Sequence, residues 1–149
     1  MKRTLGLTLL LLTLLGSCSK SPKCWFEDKN RGDIVDNFEW PECFEFADAL
    51  GNPEYIIRSE TDVNLILGCE SASFPVDFST YSILMLRAEG QCEIKVIRDL
   101  TIDHANKEYV YTVTVKECGF CKKMTSDNQF VLVPAIPDGY TVRFEIDRK

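Results

Sequence analysis

The stretch CEIKVIRDLTIDHANKEYVYTVTV, residues 92 to 115, holds two runs rich in β-branched and aromatic residues around the polar turn DHANK. Alternation with period two sends one face of each run toward a core. Pairing Ile102 with Tyr109 sets Leu100 opposite Tyr111 and Val96 opposite Val115, so the apolar faces coincide and a hairpin register follows. Upstream, YSILMLRA (81–88) is almost continuously apolar, the pattern of a central strand covered on both faces. Downstream, QFVLVP (129–134) and YTVRFEI (140–146) are expected to form a second pair across Pro137-Asp138-Gly139.

The segments before Tyr81 are shorter. SETDVNLILGC (59–69) reads as a helix, with Glu60 and Asp62 in the first turn, Val63, Ile66 and Leu67 inward, and Gly68 closing it. YIIR (55–58) reads as a small strand. In PECFEFADALGNP (41–53), Pro41 suits a first helical position and Cys43, Phe46, Ala47 and Leu50 form one apolar stripe, which predicts a second short helix. DIVDNFEW (33–40) places Ile34, Phe38 and Trp40 at even positions and predicts a strand. The expected fold class is α+β: mainly antiparallel β-sheet or open barrel with one or two short N-terminal helices, stapled by disulfides.

The chain opens MKRTLGLTLLLLTLLGSCSK. Lys2 and Arg3 precede an apolar run, Leu5 to Leu15, too short for a membrane-spanning helix of about 20 residues. A secretory signal over residues 1–17 is expected. Leu15-Gly16-Ser17-Cys18 resembles the lipobox of bacterial lipoproteins, in which the cysteine becomes the acylated N-terminus. Cys18 is thus the expected lipidation site, with a palmitate-class chain and an outer-membrane address. Residues 18–23 form a short polar tether, and residues 24–149 a single domain. The mature chain has 149 − 17 = 132 residues, enough for its own core. Loss of Lys2 and Arg3 leaves 15 basic against 23 acidic side chains, a net charge of −8. That balance disfavours nucleic acid and anionic lipid headgroups as partners.

Seven cysteines are present, and committing Cys18 to lipid leaves Cys24, Cys43, Cys69, Cys92, Cys118 and Cys121. An even number in an exported domain points to disulfides, and six cysteines allow 15 pairings. The run ECGFCKKM (117–124) looks like the active-site turn of a thioredoxin. Only 149 − 121 = 28 residues follow it, however, and they read as two strands. A reactive thiol is activated by a helix N-terminus, and Thr125-Ser126-Asp127-Asn128 does not begin one. The hairpin register brings Cys92 opposite Gly119, so a bond from Cys92 to Cys118 or Cys121 is expected. One close cysteine pair and the single histidine, His104 in the hairpin turn, make a poor zinc site, and no metal or cofactor is expected. Glu42, Glu45 and Asp48 lie opposite the apolar stripe of their predicted helix and read as a solvated face. Trp25, Phe26, Phe38, Trp40, Phe44 and Phe46 crowd the start of the mature chain. They form either core under the helix or an exposed platform for a sugar or a protein.

From Tyr55 to Ile146 the chain resembles the C-terminal domain family of PrcB, a lipoprotein that associates with a surface protease. The resemblance runs through Ile57-Arg58-Ser59-Glu60, Val76-Asp77-Phe78-Ser79, the apolar strand Ile83 to Leu86, a glycine turn and a long hairpin. Val131-Leu132-Val133-Pro134 and Val142-Arg143-Phe144 complete it. Gly90-Gln91-Cys92 departs from the Gly-Gly-Tyr common in that family. The resemblance implies a non-catalytic module that binds or stabilises a partner protein. Three functions follow: a lipid-anchored binding or protease-accessory protein, a glycan- or ligand-binding surface lipoprotein, and a thiol–disulfide oxidoreductase using Cys118 and Cys121. The first is preferred, with an envelope protein such as a protease as partner and the membrane held through the N-terminal lipid.

Overall fold

The computed structural model describes residues 24, 26–36, 38–44, 51–69 and 74–149. The expected signal peptide, the lipidation site Cys18 and the tether lie outside the described residues. The hairpin is the spine of the molecule. β4 (Glu93–Asp103) and β5 (Glu108–Cys118) run antiparallel, with Ile102 opposite Tyr109, Leu100 opposite Tyr111 and Val96 opposite Val115. β1 (Lys29–Gly32) joins the outer side of β4 and β7 (Thr141–Arg148) the outer side of β5, both in parallel. This gives a four-stranded sheet of order β1-β4-β5-β7.

A second sheet has the order β2-β3-β6, from β2 (Glu54–Ile57), β3 (Tyr81–Gln91) and β6 (Met124–Pro134), all antiparallel. Leu84 and Leu86 of β3 and Val131 and Val133 of β6 pack against Leu100, Tyr111, Val113 and Val115 of the first sheet. The opposite face of β3 and β6 carries Ile83 and Leu132, covered by Ile57, Val63, Phe44 and Val76. β3 is therefore buried on both faces, as its continuous apolar sequence requires. Val63 lies on the short helix α1 (Glu60–Leu67), where Ile66 and Leu67 are half-buried. Ser59 accepts a hydrogen bond from Asp62 N at 3.1 Å, and Gly68 closes the helix at φ +67°. The three layers are four strands, three strands, and a cover of helix and aromatic loop.

Four expectations are corrected. Neither sheet closes on itself, so the molecule is an open two-sheet sandwich and not a barrel, and two of its strand pairings are parallel. β6 and β7 do not pair with each other: β6 lies on β3 and β7 on β5. Residues 135–140 instead carry the chain from one sheet to the other, across the roughly 10 Å that separate stacked sheets. Both neighbours of that loop are apolar strands in either arrangement, so their patterns cannot distinguish hairpin from crossover. DIVDNFEW is no strand in its described residues. Asp33 N donates to Leu100 O of one sheet and Val35 N to Leu132 O of the other, at 3.0 and 2.9 Å, so the segment bridges the two sheets. Its apolar residues alternate because the crossing buries Ile34 on one side and half-buries Phe38 and Trp40 farther on. Finally, the predicted helix over 41–53 is a single 3-10 turn, Glu42–Phe44, in its described part. Phe46, Ala47, Leu50, Glu45 and Asp48 lie outside the described residues.

A candidate binding cleft beside edge strand β6

A cleft of about 310 Å³ opens where β1, β4 and β6 approach the aromatic loop. Its lining divides into an apolar wall, Trp40, Phe44 and Phe130, and a polar wall, Asn30, Arg98, Asp127, Asn128 and Gln129. The apolar wall is part of a larger aromatic cluster. Trp40 lies 4.9 Å from Phe44 and 5.8 Å from Phe130, ring centre to ring centre, and Phe38 stands edge-on to Trp40 at 4.8 Å. Phe74 stacks on Phe44 at 5.6 Å and Phe78 on Phe74 at 5.9 Å. Such pairs add to the area they bury and hold Trp40 in place.

The polar wall is organised around Arg98. Its Nε donates to Asn30 Oδ1 at 2.8 Å and its Nη1 to Gln129 Oε1 at 2.7 Å. Gln129 Nε2 then donates to Asp127 Oδ2 at 2.8 Å, and Asn30 Nδ2 to Asp36 Oδ1 at 3.0 Å. Arg87 Nε donates to Asn128 Oδ1 at 3.2 Å. Tyr111, fully buried between the sheets, donates its hydroxyl to Gln129 O at 3.0 Å. Burial pushes that phenol far above its ordinary range, against the pull of the Arg98 charge, so it stays a neutral donor. Arg98 is thus held by two neutral amide oxygens, and the nearest carboxylates of its network are one amide away on either side. Among the described residues its other N–H groups meet no acceptor, which leaves them for a ligand.

Of the aromatics singled out in the sequence, Trp40 and Phe44 line the cleft, Phe38 packs behind Trp40, and Phe26 is half-buried elsewhere. Trp25 and Phe46 lie outside the described residues. The polar half of the cleft was missed, although a signal exists. Arg98 shares the inward parity of Val96 and Leu100, and Gln129 that of Val131 and Val133. A charge and an amide at core-facing positions of two strands must find each other or a ligand.

The cysteines form three bonds: Cys24–Cys118, Cys43–Cys69 and Cys92–Cys121, with Cα separations of 5.4, 5.7 and 5.2 Å. Cys92 takes one of the two partners that the hairpin register offers it, and Cys118 and Cys121 are bonded to different residues, not to each other. Cys43–Cys69 ties the aromatic loop to the end of α1. His104 sits exposed in the β4–β5 turn with Nδ1 3.1 Å from the Tyr140 hydroxyl, far along the hairpin from the cysteines. Among the described residues no group of three His, Cys, Asp or Glu side chains is placed to hold a metal, and no helix is long and apolar enough to cross a membrane. No protein-family model, curated protein or solved structure matches this chain.

Proposed function

We propose that this chain is a lipid-anchored, non-catalytic binding module of the bacterial cell envelope, with an envelope protein as its partner and the cleft around Arg98 as the contact site. The observation that carries the reading is the composition of that cleft. It sets three aromatic rings against a guanidinium, carboxamides and one carboxylate whose groups hold one another by hydrogen bonds. Aromatic anchors beside Arg are the side chains that dominate protein-binding hot spots. The cleft also borders β6, an edge strand, and an edge admits an extended segment of a partner. A lipid on Cys18 would confine the module to a surface, where modest affinity for a neighbouring anchored protein is effective. The resemblance to the PrcB C-terminal domain family supports a protease or protease-associated protein as that neighbour.

The test is capture of envelope proteins by the intact lipoprotein, compared with Trp40→Ala and Arg98→Gln. We expect one or a few proteins held by the wild type and lost in both variants, with no turnover in proteolysis, glycan-cleavage or disulfide-reduction assays. Equal capture by all three chains, or turnover abolished by a single substitution, would overturn the reading. The half-buried Trp40 ring beside Asn30, Asn128 and Gln129 also favours a second reading, a sugar stacked on the indole and hydrogen-bonded to the amides. Glycan-array binding lost in Trp40→Ala would select it.

A further inference from the structure

The loop between β5 and β6 has no role in the cleft. It contains Gly119, Phe120, Cys121, Lys122 and Lys123, and β6 then begins with Met124. Phe120 is 94% exposed and Met124 61% exposed, the first and third most exposed of the large apolar side chains among the described residues. Phe120 and Met124 stand on either side of Lys122 and Lys123 in the sequence, so one short segment presents two exposed apolar side chains together with two lysines. The loop is not free to fold the ring away. Cys121 is bonded to Cys92 and Cys118 to Cys24, so both ends are pinned, and Gly119 turns the chain at φ +110° against the Cys92 side chain.

The same bonds fix where the loop lies relative to the anchor. Cys24 is 24 − 18 = 6 residues from Cys18, a span of at most about 22 Å when fully extended. Cys24 is bonded to Cys118, two residues from Phe120. An acylated Cys18 would therefore hold this pole of the molecule within that distance of the bilayer. The hairpin is 11 residues long in each strand, so its opposite end, at His104, lies roughly 35 Å from this pole.

Two lysines, Lys122 and Lys123, follow Phe120 in this loop. Lys122 and Lys123 pair with no carboxylate among the described residues, while the neighbouring Glu93 and Glu117 already face Lys95 at 2.9 Å and Arg148 at 4.0 Å. The net charge of the mature chain is acidic, but fields beyond about 8 Å are screened at physiological salt, so Lys122 and Lys123 act on a headgroup layer at close range. An apolar ring flanked by lysines matches the interface of an anionic bilayer, where the ring enters the acyl boundary and the ammonium groups stay with phosphates.

We infer that the Phe120–Met124 loop is a second membrane contact, seating Phe120 in the headgroup–acyl boundary of a phosphatidylglycerol-containing leaflet beside the lipidated terminus. The inference rests on acylation of Cys18 and orients the domain, with the Phe120 end of the hairpin toward the bilayer and the His104 turn away from it. The test uses the full lipidated chain in vesicles of phosphatidylethanolamine and phosphatidylglycerol that contain brominated acyl chains. Tryptophan quenching is compared between Phe120→Trp and His104→Trp, with the wild-type signal of Trp25 and Trp40 subtracted. Strong quenching and a blue shift at 120, with neither at 104, is the expected result. Lys122→Gln with Lys123→Gln in the Phe120→Trp chain should weaken the quenching in anionic vesicles and leave it unchanged in phosphatidylcholine. Equal quenching at 120 and 104, or none at 120 while the chain stays on the vesicles, overturns the loop contact. Failure of acylation is read separately, by mass spectrometry of the N-terminal peptide, and would instead overturn the lipoprotein reading.

Discussion

Tyr111 shows how one hydroxyl ties the core to the cleft. Its ring fills the space between the sheets, and its O–H reaches Gln129 O beneath the Arg98 network. Tyr111→Phe keeps the packing and removes the donor, so we expect a loss of about 1 kcal/mol in urea unfolding, the net worth of a neutral hydrogen bond. An unchanged denaturation midpoint would show that the bond contributes nothing. Gly32 is constrained by a different term. It has φ +69°, and an added Cβ would stand 1.9 Å from Leu100 O. Gly32→Ala must therefore push β1 off β4, and we expect a destabilisation of at least about 2 kcal/mol together with loss of binding in the cleft, because Asn30 rides on β1. Stability and binding equal to wild type would contradict the account of β1.

Strands and turns carry the next level of detail. In the β4–β5 turn, Asp103 accepts from Ala105 N at 2.9 Å, Asn106 N at 3.0 Å and Asn106 Nδ2 at 2.7 Å. The hydrogen bonds from Asn106 hold its carboxyl below the ordinary carboxylate value. A depressed folded-state value means the stabilisation is present above the unfolded pKa of about 3.9 and is lost as pH falls through the folded value. We expect Asp103→Ala to lower the thermal midpoint at pH 7, and the gap from wild type to shrink as the pH drops below about 4. A gap that is constant with pH would remove the carboxylate from the explanation. This hairpin and α1 were legible in the sequence because their signals are local: a period of two around a polar turn, and a serine and a glycine bracketing an apolar stripe. β1 was not, since Lys29-Asn30-Arg31-Gly32 is polar and pairs with β4 across 68 residues of chain, as Lys29 with Ile97 shows. The site was half legible for the same reason. The crowded aromatics announced themselves, whereas Arg98 and Gln129 acquire meaning only once β4 and β6 face each other.

Across the whole molecule the disulfides join what the hydrogen-bond ladders leave separate. Cys24–Cys118 closes a separation of 94 residues and Cys92–Cys121 one of 29. On the chain-entropy model these correspond to about 4.7 and 3.6 kcal/mol. We expect the paired substitution Cys24→Ser with Cys118→Ser to lower stability more than Cys92→Ser with Cys121→Ser, measured by urea unfolding without reductant. The reverse order would show that loop length does not govern their contributions. The long bond has a mechanical consequence as well. A pull on the N-terminus arrives at Cys24, a few residues before β1, and β1 is an edge strand of four residues held by β4 alone. The covalent link diverts that load to the end of β5, which is laddered on both sides, to β4 and to β7. Were Cys18 acylated and a partner held beside Arg98, as proposed, tension between them would run lengthwise through β5 and into β4 as shear. The bond acts as strain relief, like the sleeve that grips a cable so that the solder joint never feels the tug.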